Sequence, residues 1–451
     1  MKLSCARAVG LFLIGSVSGC VGAAALNAPH PLRHARAAEP HLTEPHRAAG
    51  HRAAAHVGNP AARQTTSLAS ATRAVTAHSA TKAPSARQAV RLTPRGRARA
   101  GARLVALTSR RHHSYERFTA SSFASGDIFA GDVTAGEDPV VRQAAIDALA
   151  GMNGTAVVID PSNGRILAMV NQKLALSPGA EPCSTIKITV AMAALAEGLV
   201  TRDTMVQLPG FRMNMTEALA HSNNLYFEEL GRQLGFGRVR HYANQFGLGE
   251  LAGYNIEGEQ LGVYPDKELP AAEGGVGRMC SFGQGVSLTP LQLGAYVAAL
   301  ANGGTLYYLQ HPSTFEEALA LEPKVKRTLD IAKYVPDIED GMAGAVEYGT
   351  ARRLRANFQE LPVFGKTGTC SDNGTRFGWF ASFSDSPQGS LVTVFFLEGG
   401  RPTFGPRAAE LTGMFYKNLW NRNYFADKSQ QQSAALTPAP TPQTSIPQAA
   451  Q

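Results

Sequence analysis

Three short polar groupings in this chain have the residue types for acyl-transfer chemistry. The first is Glu181-Pro182-Cys183-Ser184-Thr185-Ile186-Lys187, which opens an apolar run to Leu199 whose only charges are Lys187 and Glu197. In a helix, Ser184 and Lys187 share one face. They stand at its N-terminal end, where backbone N–H groups lack partners. Burial disfavours a charged lysine, lowers its pKa and makes it a usable base. A serine beside a neutral amine is an activated nucleophile. The same residues also fit an N-cap serine and an unrelated lysine. The second grouping is His221-Ser222-Asn223-Asn224, a break between two helical patterns. Ser222 and Asn224 there either close local turns or project into a pocket. The third is Lys366-Thr367-Gly368-Thr369, within an apolar stretch of strand character. Lys366 offers a positive charge, Thr367 and Thr369 offer hydroxyls for a carboxylate, and Gly368 lets another backbone approach. Alone, this third group also fits an ordinary edge strand.

The elements that must position these groups follow from the pattern. Asp138 to Leu149 has helical period, with Asp138 as cap and Pro139 at the first position. GTAVVI (Gly154 to Ile159) and RILAMV (Arg165 to Val170) flank the turn residues Asp160 to Gly164 and predict a hairpin. A polar link, Asn171 to Ala180, leads to the Ser184 helix. Met215 to Ala220 and Leu225 to Leu230 are helical, with Gly235 as the stop, and Gly247-Leu248-Gly249 ends another helix. Pro290 to Asn302 and Asp340 to Glu347 are helical as well. Strands then return at Val363 to Cys370, Gly378 to Phe383 and Leu391 to Leu397, before a closing helix, Gly405 to Trp420. Strands at both ends with helices between predict an α+β fold. Its antiparallel sheet is built from both ends of the domain, flanked by helices, with a helical subdomain inserted.

Composition limits the folded part to residues 122–425 of the 451. Residues 30–121 are rich in Ala, Arg, His, Pro, Ser and Thr and bury too little apolar surface to offset ordering entropy. Between Val21 and Arg111, fifteen Arg and Lys against Glu39 and Glu44 give a net +13. With Lys2 and Arg7 also set aside, the total of +8 leaves about −7 for the rest. A basic arm can engage nucleic acid, anionic lipid or an acidic envelope polymer. The reading adopted is a solvated spacer, with no nucleic-acid partner expected. Nine of the twelve histidines precede Ser114 without metal-ligand spacing, so no metal site is assigned. Residues 426–451 form a second low-complexity tail.

Residues 1–29 describe an export signal: Lys2 and Arg7, then an apolar centre at Leu11-Phe12-Leu13-Ile14. Val17-Ser18-Gly19-Cys20 resembles a lipobox, which makes Cys20 a lipidation candidate. A signal anchor and a secreted form cleaved near Ala23-Ala24-Ala25 are the alternatives. All three place the domain outside the cytoplasm, with the membrane as a partner of the N-terminus in the first two. Cys183, Cys280 and Cys370 read first as small buried hydrophobes, with pairing of two as the alternative.

The order S-x-x-K (Ser184, Lys187), S-x-N (Ser222, Asn224) and K-T-G (Lys366, Thr367, Gly368) is the set found in penicillin-binding proteins and serine β-lactamases. From about Asp138 to Trp420 the chain resembles the penicillin-binding transpeptidase domain. AVVIDPSNGRILAMV, ALAHSNNLYFEELGRQLGFG, GQGVSLTPLQLGAYVAALANGG, GMAGAVEYGTA and GKTGT with GWFASF carry the resemblance. It implies Ser184 as acylated nucleophile, Lys187 as its base, Ser222 as proton carrier to the leaving amine and Lys366 as its electrostatic partner. It also implies Asn224 on the substrate's peptide amide and Thr367 and Thr369 on its terminal carboxylate. Backbone N–H groups of Ser184 and Thr369 would form the oxyanion hole. The implied partners are D-Ala-D-Ala stem peptides of peptidoglycan and β-lactams, and no cofactor is implied. Cys183 departs from the family pattern, which often has glycine there. A class D-like β-lactamase or β-lactam sensor, a D,D-carboxypeptidase and a non-catalytic envelope-binding protein are the rival expectations.

Overall fold

The computed structural model describes residues 117–386 and 389–426. The export signal with Cys20, nearly all of the basic spacer and the tail beyond Ala426 lie outside the described residues. Residues 117–121, expected in the spacer, lie against the domain: Thr119 N donates to Gly374 O at 2.8 Å.

The chain enters through α1 (Pro139–Leu149), capped by Asp138, whose carboxylate accepts from Val140 N and Val141 N. It then forms the hairpin β1 (Gly154–Ile159) and β2 (Ile166–Val170). The C-terminal part supplies β7 (Val363–Asp372), β8 (Thr375–Ser384) and β9 (Val392–Gly399), followed by α10 (Gly405–Asn421). The two parts join where β1 pairs β9, Ala156 opposite Phe395, giving an antiparallel sheet in the order β2-β1-β9-β8-β7. The α+β expectation is met, with the sheet closed by segments from both ends of the domain.

Side chains alternate across this sheet with period two. Ala156, Val158, Phe380, Phe395 and Leu397 meet α1 and α10, in a core that includes Ala145, Phe415 and Tyr416. Val157, Ile159, Trp379, Val394 and Phe396 face the helical region. Because both faces are covered, the strands read as continuous apolar runs rather than alternating ones.

The helical region between the strands contains α2 (Gln172–Ala175), a 3₁₀ turn (Cys183–Ile186), α3 (Lys187–Ala196), and a small ribbon of β3 (Val206–Leu208) and β4 (Phe211–Met213). It continues with α4 (Met215–Ala220), α5 (Asn224–Gln245), α6 (Gly275–Phe282) and α7 (Pro290–Ala301). A second ribbon pairs β5 (Thr305–Tyr307) with β6 (Val325–Thr328), α8 (Phe315–Leu319) lies between them in sequence, and α9 (Val335–Glu347) precedes β7. Among the described residues no helix is long and apolar enough to cross a membrane.

Three local expectations change, and one helix is not expected from the sequence at all. The helix begins at Lys187, so Ser184 lies in the 3₁₀ turn before it. The polar link contains α2, whose Gln172 N and preceding Asn171 N donate to the Asp132 carboxylate. Gly235 takes φ 75° and interrupts α5, but helical structure resumes after it. The unexpected helix, α6, is glycine-rich and weak by propensity; burial of Val276, Met279 and Cys280 holds it. Gly231 of α5 permits that packing, since a Cβ there would meet Cys280 Sγ at 2.6 Å.

Candidate active site

The fold brings all three polar groups to one place. The apolar face of α3 buries the helix so fully that Lys187, in its first turn, is wholly enclosed. Ser222 lies in the turn between α4 and α5 with φ 55°, a left-handed conformation uncommon for serine. Asn223, not Ser222, closes that turn: its Oδ1 accepts from Tyr226 N at 3.0 Å and caps α5. The Ser222 hydroxyl is thereby left to face the lysines. Lys366 is fully buried on β7, an edge strand paired on one side only.

Lys187 Nζ has four oxygens around it: Ser184 Oγ at 2.9 Å, Ser222 O at 2.9 Å, Ser222 Oγ at 3.0 Å and Asn224 Oδ1 at 2.6 Å. Two of these, the Ser222 carbonyl and Asn224 Oδ1, can only accept. In a neutral amine they take both N–H groups, and the lone pair remains for a hydroxyl proton. The pKa of Lys187 lies well below the ordinary lysine value, first through burial and then through the charge of Lys366, with Glu228 opposing weakly. A lowered pKa and a 2.9 Å approach to Ser184 Oγ are the two features a general base toward that hydroxyl would need.

Lys366 Nζ donates to Ser222 Oγ at 2.8 Å and to Thr367 O at 3.1 Å. Burial lowers its pKa to about 7. Ser222 Oγ thus bridges the two amines, and a continuous run of hydrogen-bonding atoms connects Ser184, Lys187, Ser222 and Lys366.

The third wall is β7. Thr367 Oγ1 donates to Thr350 Oγ1 at 2.7 Å, and Thr369 Oγ1 accepts from Gly405 N at 2.8 Å. The acceptor role of Thr369 leaves its own hydrogen available to donate. Gly368 serves the protein itself as well as any ligand: a Cβ there would meet Pro182 O at 2.8 Å and Thr185 Cγ2 at 3.2 Å. The Ser184 turn consequently lies directly on β7. Trp379 Nε1 on β8 donates to Glu181 O at 3.0 Å and Thr185 Oγ1 to Pro182 O at 2.7 Å, fixing the turn's entry.

The cysteine expectation is corrected here. Cys183 and Cys370 form a disulfide, with Cα atoms 5.6 Å apart, while Cys280 remains a buried free thiol. The contact of the turn with β7 brings the two sulfurs together. Thr350 is the other residue that sequence reasoning passed over. It stood in the Gly349-Thr350-Ala351 segment without a role, and only the fold shows its N–H donating to Ala220 O and its hydroxyl meeting Thr367.

With this geometry established, comparison with known proteins is direct. The family model described as penicillin binding protein transpeptidase domain matches residues 154–411. Stage V sporulation protein D of Bacillus subtilis is 28% identical over 311 residues, covering 57% of this chain and 47% of the relative. Peptidoglycan D,D-transpeptidase MrdA of Acinetobacter baumannii is 26% identical over 340 residues, covering 58% and 50%. The chain spans about half the length of these curated relatives. Among solved structures, a peptidoglycan glycosyltransferase from Burkholderia ambifaria superposes with TM-score 0.55 at 19% identity, covering 64% of this chain and 98% of that one. Pseudomonas aeruginosa PBP2 in complex with WCK 5153 gives 0.54 at 23%, covering 64% and 78%. At these identities the two structures speak to the fold.

Proposed function

The chain belongs to the penicillin-binding protein transpeptidase family, and on that premise we propose that it cross-links peptidoglycan through an acyl-enzyme on Ser184. The donor is a stem peptide ending in D-Ala-D-Ala. Ser184 Oγ attacks the carbonyl carbon of the penultimate D-Ala while Lys187 takes the hydroxyl proton. Backbone N–H groups of Ser184 and Thr369 hold the oxyanion, each worth about 3 kcal/mol in such sites. Ser222, between Lys187 and Lys366, passes a proton to the departing D-Ala amine. Asn224 orients the peptide amide, and Thr367 and Thr369 take the terminal carboxylate across the gap left by Gly368. An amine of a neighbouring strand then attacks the ester and releases Ser184. β-Lactams acylate the same hydroxyl. The organisation that goes with this activity is an export signal over 1–29 with Cys20 lipidated, a spacer from residue 30 that ends before residue 117, a catalytic domain that takes in residues 117–121 together with 122–425, and a tail; such a chain would act in the cell envelope.

One observation carries the reading: Lys187 Nζ stands 2.9 Å from Ser184 Oγ with its N–H groups held by the two acceptors named above. It also weighs against the class D-like rival. A carboxylated Lys187 would have to displace oxygens that lie within 3.0 Å of Nζ.

The test is intact-mass analysis with benzylpenicillin on wild type and Ser184→Ala, followed by a pentapeptide assay with and without an acceptor amine. A long-lived adduct on wild type, none on Ser184→Ala, and amine-dependent product are expected. Rapid penicillin turnover would sink the transpeptidase reading in favour of a hydrolase. D-Ala release with no amide product would mean a carboxypeptidase.

A further inference from the structure

The Cys183–Cys370 disulfide spans 187 residues of sequence. Cys183 immediately precedes Ser184, and Cys370 immediately follows Thr369. The bond therefore joins the two backbone segments assigned above to the oxyanion hole. These come from unrelated parts of the fold, the 3₁₀ turn at the edge of the helical region and the edge strand β7.

A second observation is conformational. Cys183 has φ 52°, in the left-handed region that glycine enters freely and that a residue with a Cβ enters at a cost. Such a conformation persists where surrounding structure holds it. Cys183 is fully buried, and Cys370 is half-buried near the outer end of β7.

We propose that this disulfide is a positioning device for acylation. It holds the Ser184 turn in its left-handed entry conformation and in register with Thr369, so that Ser184 reacts at full rate only while the pair is oxidised. The inference rests on the acyl-enzyme reading above. A dithiol reductant attacks through its thiolate at the sulfur of Cys370, the less buried of the two, and expels Cys183 as thiolate, which takes up a proton. The reductant's second thiol then resolves the mixed disulfide. The reductant ends as a disulfide and both cysteines end as thiols. Released, Cys183 relaxes toward negative φ and carries the Ser184 N–H away from its alignment with Thr369. That misalignment weakens stabilisation of the oxyanion formed in the transition state, so the loss falls on the acylation step rather than on prior binding.

The experiment measures benzylpenicillin acylation of the full chain, resolved into binding and acylation constants, before and after dithiothreitol and again after reoxidation. Reduction is expected to lower the acylation constant by about tenfold or more, with binding changed by less than about threefold. Reoxidation restores it. Cys370→Ala, which removes the bond but keeps a Cβ at position 183, behaves like the reduced chain. The double variant Cys183→Gly with Cys370→Ala recovers most of the rate, because glycine adopts the left-handed conformation unaided. Thermal unfolding is followed in parallel. Equal acylation constants for the oxidised chain, the reduced chain and Cys370→Ala overturn the inference. So does a rate loss that tracks loss of folded protein and that the glycine double variant does not relieve. An oxidised chain that forms no adduct at all removes the acyl-enzyme reading first, and this inference with it.

Discussion

Arg142 on α1, mostly buried, and the fully buried pair Lys187 and Lys366 in the candidate active site are cations treated in opposite ways. Arg142 donates to Asp132 Oδ2 at 2.7 Å and to Glu137 Oε2 at 2.9 Å, and both carboxylates are themselves buried. Glu137 is further tied to Met169 N at 2.8 Å and His311 Nε2 at 2.9 Å. Burial works against the Arg142 charge, but the hydrogen bonds and charges of Asp132 and Glu137 outweigh it and raise the pKa. Around Lys187 and Lys366, by contrast, each hydrogen-bond partner described above is a neutral oxygen. Burial therefore prevails and both pKa values fall. The lesson is that counter-ions hold a buried cation in its charged form, and withholding them lets burial favour the neutral one.

Substitutions by methionine break this contrast most directly. Lys187→Met should lower penicillin acylation by roughly 10²- to 10⁴-fold, while urea unfolding shows only a small change in stability, because hydrogen bonds to neutral oxygens are lost but no ion pair is broken. Arg142→Met should do the reverse. It leaves Asp132 and Glu137 buried without their partner and costs about 3–5 kcal/mol in the same unfolding measurement, with acylation of the remaining folded protein unaffected. Comparable destabilisation by both changes would end the distinction.

Lys366→Gln sharpens the comparison within the lysine pair. The charge on Lys366 pushes the Lys187 pKa down, so a neutral glutamine lets it rise. In the proposed mechanism acylation requires neutral Lys187, and its acidic limb should therefore move to higher pH when the acylation constant is profiled. The limb belongs to the coupled pair rather than to one residue. An unmoved limb would show that the two amines titrate independently.

The smallest effect is expected at Thr350→Val, which keeps the side-chain shape but removes the partner of the Thr367 hydroxyl. The binding constant for a carboxylate-bearing β-lactam should weaken by a few-fold, equivalent to about 0.5–1.5 kcal/mol. The acylation constant should hold.

Much of the scaffold was legible because the signals are local. The Asp138 cap, the β1–β2 hairpin and the helix opening at Pro290 depend on residues within a few positions of each other. The helix of Gly275–Phe282 was not legible, since its glycines argue against a helix that tertiary burial nevertheless stabilises. Thr350 and Cys370 were equally hidden, because their partners lie 17 and 187 residues away.

The sequence by itself determined which side chains could act and in what order: a serine three residues before a lysine, a serine two before an asparagine, and a lysine leading into Thr-Gly-Thr on an apolar strand. Periodicity and turn chemistry also determined the elements that carry them. Tertiary structure alone decided that Lys187 meets Ser222 as well as Ser184, that Ser222 bridges two amines, and that Cys183 pairs with Cys370. Burial and Coulomb interactions are sums over neighbours in space, and β7, the α4–α5 turn and the Ser184 turn become neighbours only once the sheet has closed.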